Sequence, residues 1–64
     1  MKKFAVAVLL YKQREGALNY KLLHFVVEAK DRDEAEQAMG DKALFENKGM
    51  HLLEVNVLEI NDAH

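Results

Sequence analysis

Few side chains in this sequence could do chemistry. They are His24, His51 and His64, Tyr11 and Tyr20, and the acids Glu28 and Glu54, which stand among apolar neighbours. The chain contains no serine, threonine or cysteine. Nucleophilic catalysis through a hydroxyl or a thiol is therefore excluded, leaving only unusual tyrosine chemistry. There is no glycine-rich phosphate loop, no nucleophile elbow and no metal-ligand spacing.

His24, spaced two residues from both Leu22 and Val26, could act as a general base or as a pH-sensitive group. A hydrogen-bonded structural histidine is the more ordinary use of such a position. His51 and Glu54 are three residues apart, so a regular strand would point them to opposite faces and deny them a shared metal. No catalytic residue, metal or cofactor is expected.

The elements that must carry these residues are organised around Lys3 to Tyr11, read KFAVAVLLY. Phe4, Val6, Val8 and Leu10 alternate with Ala5, Ala7, Leu9 and Tyr11, so both faces of this stretch are apolar. An edge strand with one wet face would alternate apolar with polar. This stretch is therefore expected to be the central strand.

Lys12 to Leu18 reads as a hairpin loop of open turn type, followed by a second strand from Asn19 to Ala29. Asp31 with Glu34, or Asp33 with Glu36, supplies a capping box for a helix. Ala35, Ala38, Met39 and Phe45 fall on one helical stripe. Gly40 could bend the helix and Gly49 could end it. Met50 to Ile60 reads as a third strand, and residues 61–64 as a frayed tail.

The expected fold is α+β, β-β-α-β, a three-stranded antiparallel sheet of order 2-1-3 with one helix on one face, forming a single domain over residues 1–64. Its core should comprise Phe4, Val6, Val8, Leu10, Leu23, Phe25, Val27, Ala35, Ala38, Met39, Phe45, Leu53, Val55 and Val57.

One helix covers one face. The other face, carrying Ala5, Ala7, Leu9, Tyr20, Leu22, His24, Val26, Leu52 and Leu58, would be left bare, a larger apolar patch than a soluble monomer tolerates. A chain this small rarely stabilises itself through one core, and oligomerisation is a common remedy. These residues are accordingly the expected interface of a homodimer. Small alanines at the centre with larger flanks favour face-to-face packing over edge pairing. Protonating a His24 trapped there should weaken the dimer as pH falls.

Charge is unevenly spread. Residues 1–23 carry Lys2, Lys3, Lys12, Arg14 and Lys21 against Glu15 alone, whereas residues 31–47 carry six acids against Arg32 and Lys42. Lys12, Arg14 and Lys21 could touch phosphates, but a nucleic-acid binder is usually basic overall and this chain has a formal charge of -2. The apolar run after Lys2 and Lys3 is too short to span a bilayer and lacks a cleavage site, so a cytoplasmic protein with no membrane partner is expected.

The leading functional expectation is a non-catalytic protein-interaction module, a homodimer, of the accessory or inhibitory kind that binds another protein. The alternatives are a small oligomeric enzyme or ligand-binding protein with a pocket between sheets, and nucleic-acid binding through the basic hairpin loop.

Overall fold

A computed structural model describes residues 1–60; the expected tail at residues 61–64 lies outside the described residues. Four elements follow in order: β1 (Lys2–Arg14), β2 (Ala17–Ala29), α1 (Arg32–Glu46) and β3 (His51–Ile60). The sheet order is β2-β1-β3 with both pairings antiparallel. The strand that is apolar on both faces is central, as its composition requires.

The hairpin is tighter than the polar stretch Lys12–Leu18 suggests. Pairing continues to Arg14 opposite Ala17, leaving Glu15 and Gly16 as the two-residue turn. Both have positive φ, 52° and 80°, the type I′ combination whose twist matches that of the flanking strands. β1, at roughly 3.4 Å per residue, is about 44 Å long. α1, at roughly 1.5 Å per residue, is only about 22 Å long. The distal half of the hairpin therefore projects past the helix as a ribbon.

Of the two available caps the chain uses the first. The Asp31 carboxylate accepts from the Glu34 N–H at 2.9 Å, and the Glu34 carboxylate accepts from the Lys30 N–H at 3.2 Å. The helix runs unbroken through Gly40 to Glu46. Its sheet-facing side is made of small residues: Ala35, Gly40 and Ala43 are buried, with Met39 and Leu44 half-buried beside them.

Two helix residues expected in the core are outside it. Phe45 is 75% exposed and Ala38 is exposed. Ala35, Met39 and Ala43 recur every fourth residue, and Phe45, two residues past Ala43, sits about 200° round the helix from it. The Lys48 ammonium lies 5.7 Å from the Phe45 ring centroid. Below the helix, Phe4, Val6, Val8, Leu10, Ala29 and Val57 complete the buried core.

β3 also departs from simple alternation. Leu9 pairs with Glu54 but Leu10 pairs with Leu52, so Leu53 is an extra, bulged residue. A bulge resets the side on which each residue lies. Leu52, expected on the bare face, is carried to the helix side opposite Leu10, where its Cδ2 lies 3.9 Å from the position a Cβ on Gly40 would occupy. Leu53, expected in the core, is 52% exposed.

Candidate functional site

The face away from the helix is a grid set by strand register. From one end of the sheet to the other, its rows read Glu28–Lys3–Ile60, Val26–Ala5–Leu58, His24–Ala7–Asn56, Leu22–Leu9–Glu54 and Tyr20–Tyr11–His51. In the second and third rows the middle strand contributes the small Ala5 and Ala7 and the flanking strands the larger side chains.

The result is a trough of about 540 Å³, lined by Ala5, Ala7, His24, Val26, Asn56 and Leu58 among others. Its walls are apolar and open to solvent: Val26 and Leu58 are each 68% exposed, and Tyr20 and Leu22 are also exposed. Ala5, Ala7 and Leu9 are half-buried beneath them. Of the nine residues expected on this face, the structure brings together all but Leu52.

Polar groups interrupt the surface at a few points. Asn56 Nδ2 donates to a Glu54 carboxylate oxygen at 2.6 Å, which holds both side chains along β3. The His51 ring lies 5.4 Å from that of Tyr11. The bulge at Leu53 also overturns the separation expected for His51 and Glu54: they share the outer face, in adjacent rows. Two ligand-type side chains do not make a metal centre, and among the described residues no group of three or more His, Asp or Glu converges. His24 is exposed, across from Ala7.

Lys12, Arg14 and Lys21 share the opposite face of the sheet, towards the ribbon end. Lys21 is engaged within the fold. Its ammonium donates to Asn47 Oδ1 at 2.7 Å, while Asn47 Nδ2 donates to the Ala43 carbonyl at 2.9 Å. Since α1 has no basic residue of its own in the last turn, Lys21 from β2 places a cation at the negative end of the helix dipole. No helix among the described residues is long and apolar enough to cross a membrane.

No protein-family model, curated protein or solved structure matches this chain.

Proposed function

We propose that this protein is a non-catalytic protein-interaction module of the cytoplasm, which assembles as a homodimer and binds another protein through the outer face of its sheet. One observation carries the reading: Tyr20, Leu22, Val26 and Leu58 stand exposed around a floor of Ala5 and Ala7. Water contact at so many adjacent apolar side chains is costly for a soluble monomer, and covering them is favourable by roughly 25 cal/mol per Å² buried. The absence of serine, threonine and cysteine supports a binding role over covalent catalysis, and the absence of cysteine is compatible with a reducing compartment.

The test combines sedimentation at micromolar concentration with capture of partners from the native host, comparing the parent with Leu58→Lys. Leu58 is exposed and lies on β3, so the lysine can reach water without disturbing the core. A dimeric parent, and a variant that keeps its circular dichroism but loses the captured protein, are expected. A monomeric parent would remove the homodimer from the proposal. An undiminished capture by Leu58→Lys would remove the outer face.

The trough volume favours one alternative. About 540 Å³ is within the range of pockets for small organic ligands, so a small apolar molecule is the competing occupant. In that case His24→Ala should weaken its binding without altering the assembly state.

A further inference from the structure

We infer that the dimer forms by antiparallel pairing of β2 with β2 of a second copy, centred on His24, joining two three-stranded sheets into one of six. This rests on the homodimer reading above and specifies its geometry, in place of the face-to-face packing that the alanines at the centre of the sheet suggest.

The two edges of the sheet are not alike. β3 is the shorter, is interrupted by the bulge at Leu53, and carries Glu54 and Glu59. A bulge and charged side chains are devices by which an edge strand resists pairing with another chain. β2 has none of them over its middle. It pairs with β1 from Ala17 to Ala29 without a shift in register, and it has no Lys, Arg, Asp, Glu or Pro from Leu22 to Val27.

β2 is also under-covered on both sides. Leu22 and Val26 are exposed on the outer face, and Leu23, Phe25 and Val27, which point to the helix side, are only half-buried. On β1, by contrast, Phe4, Val6, Val8 and Leu10 are buried. Missing neighbours beside β2 account for both observations.

The turn determines which backbone groups face outward. In the Arg14–Ala17 turn the hydrogen bond from the Ala17 N–H to the Arg14 carbonyl directs residue 17 inward. Antiparallel strands alternate, so the odd residues of β2 bond to β1. Tyr20, Leu22, His24, Val26 and Glu28 aim their N–H and C=O groups at the free edge.

Two copies related by a twofold axis at His24 place Leu22 beside the second copy's Val26 and Tyr20 beside its Glu28, each twice. Apolar meets apolar, and a phenol meets a carboxylate. Every outward backbone group from Tyr20 to Glu28 then finds a partner. Moving the centre to Phe25 would set Leu22 against Glu28, and moving it to Leu23 would set Leu18 against Glu28. The His24 register is the self-complementary one.

Three strands by five rows give an outer face of about 15 Å by 30 Å in projection. Pairing through β2 doubles the apolar face offered to a third molecule.

The absence of native cysteine allows a direct test with single-cysteine variants. His24→Cys and Asn56→Cys occupy equivalent positions on the two edges, both opposite Ala7. Across the twofold axis the two Cα atoms at position 24 would be about 5.5 Å apart, within disulfide reach. With a millimolar effective concentration against ~10 µM protein, His24→Cys should cross-link roughly 100-fold faster than Asn56→Cys under mild oxidation. Hydrogen exchange on the parent provides a second measurement that does not depend on either variant folding. The Leu22, His24 and Val26 amides should slow by about tenfold or more between dilute and concentrated protein. A dimeric parent with equal cross-linking, or with those amides still fast, would overturn the β2 pairing and leave the homodimer standing. A monomeric parent would overturn both.

Discussion

Replacing Gly40 with alanine should stabilise the protein. Gly40 lies inside α1 and is buried, and it is not one of the positive-φ glycines, which are Gly16 and Gly49. An added Cβ would meet Leu52 Cδ2 at 3.9 Å, an ordinary van der Waals contact. Alanine in a helix interior is favoured over glycine by about 1 kcal/mol. The entropy of unfolding is about 2.1 cal/mol/K per residue, or about 0.13 kcal/mol/K for a 64-residue chain. One kcal/mol therefore corresponds to a rise in Tm of about 7 °C. Thermal melting followed by circular dichroism measures it, with protein concentration held fixed because association also shifts Tm. A lower Tm would refute the reasoning, because it would mean that α1 and β3 leave no room for a methyl group at this crossing.

Asp31→Ala should cost about 1 kcal/mol, read by the same melts, because it removes the acceptor for the Glu34 N–H. Phe45→Ala should change stability by no more than about 0.5 kcal/mol, since the ring is on the solvent side of the helix. Val8→Ala, at a fully buried position, should by contrast cost about 2–3 kcal/mol.

Much of the architecture could be read from one dimension. Eight consecutive apolar residues, Phe4 to Tyr11, suit a strand flanked on both edges, and the 2-1-3 order follows from that. The bare face was legible for the same reason, since Ala5, Ala7 and Leu9 must point away from whatever Phe4, Val6 and Val8 pack against. The start of the helix was legible in Asp31 and Glu34, whose contacts are local.

Other features were decided only in three dimensions. In Met50–Glu54, read MHLLE, adjacent leucines leave the alternation ambiguous. Pairing with Leu10 and Leu9 selects Leu52 for the helix side and makes Leu53 the bulge, and this in turn brings His51 and Glu54 to one face. The helix phase is a similar case. Its sheet-facing residues are small, so the large Phe45 misleads a reading based on hydrophobic spacing, whereas close approach to the sheet favours Ala35, Gly40 and Ala43. Local propensity and periodicity constrain a residue through its neighbours in sequence. The bulge and the helix face depend on contacts between residues far apart in the chain, and only the folded chain brings those together.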